Sequence, residues 1–265
     1  MNHSIILIVA YKEKTMSKER LVFFDTETIS FPEDNPNEDI LCQLAFMDTL
    51  NRKTYCDYMK PELYKKMTAR AMSVNKITPE LLEDKPTKEN TDAWSTLKDI
   101  LENTEDKVFL IAHNIKFDLE VIKQSGIKPN KNVLIIDTMI VAEFINDNNN
   151  LIFDMVNLQY LKYHYRLDLK RPALDKMLGI DTSKLDAHDA LPDVLDLFLV
   201  YKEFIKLYDG DTFTFNELTT EPFVLNLLPF GKDKGNKFTS LNHNQLKYYA
   251  GLDGNVAHTA KVLLS

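Results

Sequence analysis

The chain has 265 residues, long enough for one large domain or for a domain with a small appendage. With 44% hydrophobic and 27% charged residues it has the composition of an ordinary globular protein, and its net charge of -8 argues against a protein that coats long duplex DNA. Two cysteines, Cys42 and Cys56, are too few for a disulfide scaffold; we expect both to be buried and inert in a reducing cytoplasm.

The N-terminal segment precedes the first predicted strand. Its apolar run at residues 5–10 is short for a signal sequence and lacks a basic leader. We therefore interpret residues 1–19 as an N-terminal extension that is expected to be disordered, with Met16 as an alternative start to Met1. No stretch of the chain approaches the roughly 20 apolar residues of a membrane span, so no membrane association is expected.

Apolar runs bounded by turn residues predict five strands, at residues 21–24, 39–47, 54–59, 107–114 and 133–138. Residues 61–103 and 138–208 are predicted to be mainly helical, and another helix follows the fourth strand and ends near Gly126. Grouped strands followed by alternating strands and helices favour an α/β fold, with a mixed sheet flanked by helices. A change in composition near residues 209–215 divides the chain into a main domain (20–208) and a small C-terminal module (209–265).

Two acidic residues, Asp25 and Glu27, follow the first buried strand. At positions i and i+2 of a strand they would lie on one face. The alternative interpretation is that both are loop acids that cap the next element.

Two further acids have similar settings. Asp118, in "AHNIKFD", lies about one turn into the helix that follows a buried strand, where it is either a site residue or an acid favoured by the helix dipole. Asp193 follows His188 in "AHDALPD", and Pro192 predicts that this helix begins near residues 189–191. His188 would then lie on the preceding loop; the alternative is a surface histidine and an exposed acid.

Four carboxylates and one histidine are sufficient for hydrolysis of a phosphodiester. Carboxylates hold Mg²⁺, two metal ions can activate a water and stabilise the leaving oxygen, and a histidine can accept a proton near neutral pH. All seven glycines lie at position 126 or later, so no phosphate-binding glycine loop can follow the first strand.

Taken in order, "FDTET", "HNIKFD" and "HDALPD" resemble the three motifs of the DnaQ-like (DEDDh) 3′–5′ exonuclease superfamily, which includes ribonuclease T, oligoribonuclease and exodeoxyribonuclease X. The resemblance implies a ribonuclease-H-like fold, a five-stranded mixed sheet with helices on both faces. It implies two divalent cations, Mg²⁺ or Mn²⁺, and His188 as general base. The implied metal ligands are Asp25, Glu27, Asp118 and Asp193. The implied contacts to the terminal nucleotide are Thr26, Thr28 and Asn114.

The chain departs from the family pattern at two places. Ile29 and Ser30 follow Thr28 where many relatives continue with glycine. Asn75, in "SVNKIT", stands where many relatives have a histidine near the terminal nucleotide, and it remains a candidate substrate-binding residue that cannot carry charge.

Two basic stretches have alternative interpretations. The segment "LPFGKDKGNKF" resembles a short C-terminal module of some exodeoxyribonuclease X-like proteins, and Lys232, Lys234 and Lys237 are either nucleic-acid contacts or parts of a solvated hairpin turn. "KYHYRLDLKRP", residues 162–172, is either an ordinary helix or a surface for base stacking. We expect Trp94 to lie in the core.

The expected function is a metal-dependent 3′–5′ exonuclease that releases nucleoside 5′-monophosphates from single-stranded 3′ ends, with DNA favoured. The first alternative is a ribonuclease of the same superfamily that trims RNA 3′ ends or short oligoribonucleotides. A non-catalytic nucleic-acid-binding protein and an HD phosphohydrolase are less favoured, because the five-residue set is complete and further metal-binding histidines are few. A homodimer and a polymerase partner both remain open.

Overall fold

The computed structural model describes residues 19–182, 189–208 and 211–265. Its strands form one sheet in the order β3-β2-β1-β4-β5, in which β1 pairs antiparallel with β2 and parallel with β4. β2 and β3 are antiparallel, and β4 and β5 are parallel. The strands are β1 (Arg20–Thr28), β2 (Leu41–Asp48), β3 (Lys53–Tyr58), β4 (Val108–Ala112) and β5 (Val133–Asp137). The predicted mixed five-stranded sheet is therefore confirmed.

β1 continues beyond its apolar run, so Asp25 and Glu27 lie inside the strand. Asp25 pairs with Ala45 and Glu27 with Gln43, and the register shifts between Glu27 and Thr28. The hydrogen-bonded ladder continues past Asp25 and Glu27 because it is formed by backbone N–H and C=O groups, which pair with β2 whether or not the side chains are charged. Both acids consequently point from one face of a central strand.

The helical regions are broken into shorter elements. Left-handed residues interrupt the predicted stretch 138–208, including Leu151 after the helix Thr138–Asn148 and Arg166 before the helix Leu167–Leu178. The last long helix begins at Ala190, where Pro192 predicted. The helices are α1 (Ala69–Asn75), α2 (Pro79–Leu82), α3 (Asp92–Asn103), α4 (Ile115–Gln124), α5 (Thr138–Asn148), α6 (Leu158–His164), α7 (Leu167–Leu178), α8 (Ala190–Tyr208), α9 (Thr212–Thr220), α10 (His243–Ala250) and α11 (Gly254–Leu264). Short 3₁₀ turns lie at Tyr64–Lys66, Lys88–Asn90 and Phe238–Ser240.

Alternation along β1 supplies side chains to two hydrophobic cores. Val22 and Phe24 pack on one face of the sheet, in the cluster that includes residues of α3 and α4. Leu21 and Phe23 pack on the other face, with α5 to α8, where the Phe23 ring lies 5.3 Å from the ring of Phe198 on α8. Since side chains alternate, Asp25 continues the face of Leu21 and Phe23 and points toward α8.

Trp94, Cys42 and Cys56 were predicted to be buried, and the structure buries them to different degrees. Trp94 is partly buried against the first core. Cys42 is buried and Cys56 is half-buried, and neither forms a disulfide. Burial raises the pKa of both thiols, that of Cys56 to about 12, so neither is a reactive thiolate near neutral pH.

The C-terminal residues form a third, smaller cluster. α9 packs on β5 with its Phe215 in the second core. Residues 221–265, the C-terminal lobe, have their own buried cluster of Leu225, Leu228, Phe238, Leu246, Tyr249, Val256 and Ala260. How the chain divides into independently folding units stays a prediction. Within the described ranges, no helix has the length and apolarity needed to cross a bilayer.

Candidate active site

Asp118 reaches the first motif from α4. Its carboxylate oxygen Oδ1 accepts two hydrogen bonds from Thr26, one from the backbone N–H at 2.9 Å and one from the hydroxyl at 2.6 Å. Asp118 is only 3% exposed, so these donors replace the water that the carboxylate loses on burial. The bonds fix the second motif directly against the first.

The position of α4 depends on Asp137 at the end of β5. Its carboxylate accepts the backbone N–H groups of Asn114 at 2.9 Å and Ile115 at 3.1 Å, and also that of Met139 in α5. One buried side chain therefore caps two helices, including the one that carries Asp118. Asp137 was not predicted from the sequence, although "IIDT" has the strand-then-cap pattern that could have revealed it.

Asp193 lies in the first turn of α8, close to a buried group of charges. Arg171 donates to the carbonyl oxygen of Pro192 and forms an ion pair with Asp196, which is 1% exposed. Lys162 pairs with the same Asp196 at 2.9 Å. Both bases lie in the stretch "KYHYRLDLKRP", where they hold the helix of the third motif. A stacking role for this stretch stays a prediction. Asp196 could have been predicted from the sequence, because it is an acid within an otherwise apolar helix, three residues after Asp193.

The start of α8 is bound to the sheet by Asp189. The carboxylate of Asp189 accepts from Gln43 Nε2 at 3.0 Å and from the Tyr58 hydroxyl at 3.1 Å, while Gln43 Oε1 accepts from the N–H of Ala190. His188 lies in the segment 183–188, outside the described residues, and its role as general base stays a prediction.

The acids share a strongly perturbed electrostatic environment. Burial, followed by repulsion from Asp118, Glu27 and Asp193, raises the pKa of Asp25 well above its ordinary value. Burial and the negative charge of Asp193 raise the pKa of Glu27 to about 8. Burial likewise raises the pKa of Asp118 and that of Asp193 to about 7. Such shifts arise where carboxylates are buried, and nearby like charges add to the effect of burial.

A cavity of about 350 Å³ opens beside two of the acids. Its lining residues are Asp25, His113, Asn157, Leu158, Gln159 and Asp193. His113 Nδ1 lies 2.9 Å from the hydroxyl of Thr138, and burial lowers the pKa of this histidine to about 4. The cavity therefore combines two carboxylates with a histidine that is neutral near pH 7.

The predicted nucleotide contacts differ in how much of their hydrogen-bonding capacity is free. Thr26 binds Asp118, and Thr28 is buried with its carbonyl oxygen accepting from Asn75 at 2.9 Å. Asn75 is buried as well: its Oδ1 accepts from Ile77 N, and its side chain donates to Glu27, which lowers the pKa of that acid. Asn75 and Thr26 thus support the acids. Asn114, with φ of 67°, keeps an exposed side chain.

The three predicted lysine contacts lie on a turn of the C-terminal lobe, where Leu227 and Lys237 form an antiparallel bridge. Lys232, Lys234 and Lys237 are all exposed. Lys234 donates to the carbonyl oxygen of Asp154 at 2.8 Å and so contacts the segment that leads to the cavity.

The candidate metal ligands are the carboxylates of Asp25, Glu27, Asp118 and Asp193. In the part of the chain that the structure describes, no three His, Cys, Asp or Glu side chains are close enough to hold a metal as they stand. The chemistry of the acids nevertheless fits a hard cation: four carboxylates come from β1, α4 and α8, and among the described residues the buried Oδ1 of Asp193 has no hydrogen-bond donor. Bound cations would favour the ionised forms of these acids, which burial and neighbouring negative charges disfavour.

The family model described as Exonuclease, of the RNase T type, matches residues 22–201, more than half of the chain. The chain belongs to this exonuclease family. It is a member of the DnaQ-like 3′–5′ exonuclease superfamily, as the three motifs predicted, and the matched residues include Asp25, Glu27, Asp118, His188 and Asp193. No match was found among curated proteins.

Two solved structures are similar to this chain. Exonuclease X in complex with 5′ overhanging duplex DNA is 18% identical, with a TM-score of 0.51 over 76% of this chain and 99% of that one. A 3′-exonuclease, from a structure of 3′-end specific recognition of a histone mRNA stem-loop, is 14% identical, with a TM-score of 0.47 over 79% of this chain and 71% of that one. The exonuclease X structure supports the ribonuclease-H-like architecture of this exonuclease.

Proposed function

We propose that this exonuclease is metal-dependent and removes nucleoside 5′-monophosphates from single-stranded 3′ ends, with DNA as the favoured polymer. The observation that supports this most directly is the gathering of four carboxylates from β1, α4 and α8, each with a raised pKa. Buried carboxylates with raised pKa values are costly to keep ionised, and such groups cluster at functional sites.

In this proposal Asp25, Glu27, Asp118 and Asp193 hold two Mg²⁺ or Mn²⁺ ions. Such ions activate a water and stabilise the leaving oxygen in phosphodiester hydrolysis. The chain's own part is to place the carboxylates: Thr26 orients Asp118, and Asn75 orients Glu27.

His188 is assigned as the general base. It accepts the proton of the attacking water as the water oxygen bonds to the terminal phosphorus. The bond from phosphorus to the 3′ oxygen of the preceding nucleotide breaks, and that oxygen gains a proton from solvent. The products are a nucleoside 5′-monophosphate and a strand one nucleotide shorter with a free 3′ hydroxyl.

Nucleic acid as substrate is supported by the likeness to exonuclease X, whose solved structure contains duplex DNA. The cavity beside Asp25 and Asp193 is large enough for one nucleotide at the strand terminus. The preference for DNA over RNA is decided by assaying DNA and RNA oligomers of equal sequence, in single- and double-stranded form.

Asp118→Asn, with Glu120→Gln as its matched control, tests the assignment. Both acids lie on α4, but Glu120 is exposed on the surface, whereas Asp118 is buried at the site. A 5′-labelled oligomer incubated with Mg²⁺ should shorten from its 3′ end with the wild-type chain and with Glu120→Gln, and should stay intact with Asp118→Asn. Undiminished shortening by folded, purified Asp118→Asn would contradict the proposal.

A further inference from the structure

Two neighbouring residues at the end of α5 hold different parts of the molecule. Asn146 is 4% exposed and binds Phe153 twice: its Oδ1 accepts from the Phe153 N–H at 2.7 Å, and its Nδ2 donates to the Phe153 carbonyl at 3.1 Å. These bonds fix the middle of the segment 149–157, which connects α5 to α6.

Asp147, the next residue, holds the C-terminal lobe. Its carboxylate accepts from the backbone N–H and the side-chain amide of Asn226, and from the N–H of Leu227 at 2.7 Å. Asp147 is 6% exposed, so this is a buried carboxylate whose donors all come from the lobe. Leaving such donors or acceptors unpaired is costly, which fixes the lobe at the end of α5.

The lobe also contacts the segment 149–157 directly. Lys234 donates to the carbonyl oxygen of Asp154. A Cβ atom added at Gly235 would lie 3.7 Å from Cδ1 of Leu151, so the lysine-rich turn packs closely against this segment. The segment is therefore held at Phe153 by Asn146 and at Asp154 by Lys234 of the lobe.

The segment ends at the wall of the cavity. Asn157 caps α6 by accepting from the N–H of Tyr160 at 2.8 Å, and residues 157–159 line the cavity together with Asp25 and Asp193. A displacement of the segment would therefore move this wall relative to the acids.

We propose that the C-terminal lobe is a positioning element of the active site, which fixes the cavity wall at residues 157–159 through Asp147 and Lys234. The proposal rests on the proposed function, in that the cavity receives the terminal nucleotide. In this proposal Lys234 acts through its hydrogen bond to the carbonyl oxygen of Asp154, whereas Lys232 contributes only its positive charge.

The test compares Lys234→Met with Lys232→Met in the full chain, because both substitutions remove one positive charge from the same turn. The substrate is the p-nitrophenyl ester of thymidine 5′-monophosphate, which is small enough to contact only the cavity. We expect Lys234→Met to raise KM by about three- to tenfold, the range that one hydrogen bond is worth, with kcat unchanged. Lys232→Met should leave both constants unchanged, and Lys234→Arg, which keeps a donor, should return KM toward the wild-type value.

Hydrogen–deuterium exchange of residues 150–158 gives a second measurement that needs no cleavage. Exchange there should be faster in Lys234→Met, and faster still in Asp147→Asn, than in the wild type or in Lys232→Met. If the wild type cleaves no substrate, the proposed function fails while the exchange data still decide the positioning role. Equal behaviour of the Lys234 and Lys232 variants in KM and in exchange would overturn the inference.

Discussion

The hydroxyl and the backbone N–H of Thr26 both donate to the same carboxylate oxygen of Asp118, at 2.6 and 2.9 Å. These bonds lower the pKa of Asp118 against the opposing effect of burial. The contact thus joins two motifs that lie 92 residues apart in the chain and favours the ionised form that a metal needs.

Thr26→Val should weaken this contact without changing the side-chain volume. With one donor lost the pKa of Asp118 rises, so we expect the acidic limb of the metal-dependent rate to shift to higher pH. We also expect the free energy of unfolding to fall by about 1–3 kcal/mol. A pH–rate profile and urea denaturation measure the two effects. Thr28→Val is the control, and an unshifted acidic limb in Thr26→Val would contradict the prediction.

The raised pKa values predict an unusual pH dependence of stability in metal-free protein. The folded-state pKa values of Glu27, Asp118 and Asp193 lie at about 8, 7 and 7, above ordinary values of 4.5 for Glu and 3.8 for Asp. Because the folded state binds these protons more tightly than the unfolded state, their contribution to stability is lost as pH rises from about 4 to about 8. In EDTA, Asp193→Asn should therefore be less sensitive than the wild type to pH in this window.

Divalent cations should reverse this trend. They bind the ionised carboxylates, so the rise in Tm on adding Mg²⁺ or Mn²⁺ should increase between pH 5.5 and pH 8.5. At a concentration about 100 times Kd the stabilisation is about 2.7 kcal/mol. Thermal denaturation with metal and with EDTA measures it, and an equal shift in Asp25→Asn would show that the cation binds elsewhere.

Arg171→Met should destabilise the protein strongly. Arg171 contacts Asp196 and the carbonyl oxygen of Pro192, and its Nη1 lies 3.4 Å from the Thr182 hydroxyl. Removal of one partner of a buried ion pair costs about 3–5 kcal/mol. Lys162 still pairs with Asp196 in the variant, so it should offset part of this loss of stability. Lys170→Met is the matched control, because its ion pair with Glu203 lies at the surface and should be worth about 1 kcal/mol or less. Equal losses for the two variants in urea denaturation would contradict the structural role of Arg171.

Asp137→Ala should disturb the helix that carries Asp118. We expect the free energy of unfolding to fall by about 1–2 kcal/mol, as for other N-cap substitutions, together with a lower kcat. Asp211→Ala removes the cap of α9, where Asp211 accepts from the N–H of Thr214, and should lower stability without changing kcat. Denaturation curves and single-turnover rates for the two variants test this difference. A normal kcat for Asp137→Ala would mean that the cap has no influence on the site.

The sequence by itself predicted the strands of the sheet, because four of the five contain runs of apolar residues, namely β1, β2, β4 and β5. It also indicated Asp25, Glu27, Asp118 and Asp193, since acids next to buried strands or within apolar helices stand out against their surroundings. It predicted the start of α8 correctly, because proline is accommodated in the first turn of a helix.

Only the tertiary structure decided which polar side chains hold those acids in place. Asp137, Arg171 and Asp196 act through contacts across elements, and the spacing of residues along the chain carries no information on such partners. For the same reason the lysines of the C-terminal turn looked equivalent in sequence, whereas in the fold Lys234 binds the segment beside the cavity and Lys232 does not. Local pattern determined the elements and their acids, and hydrogen bonds between distant parts of the chain determined how the site is positioned.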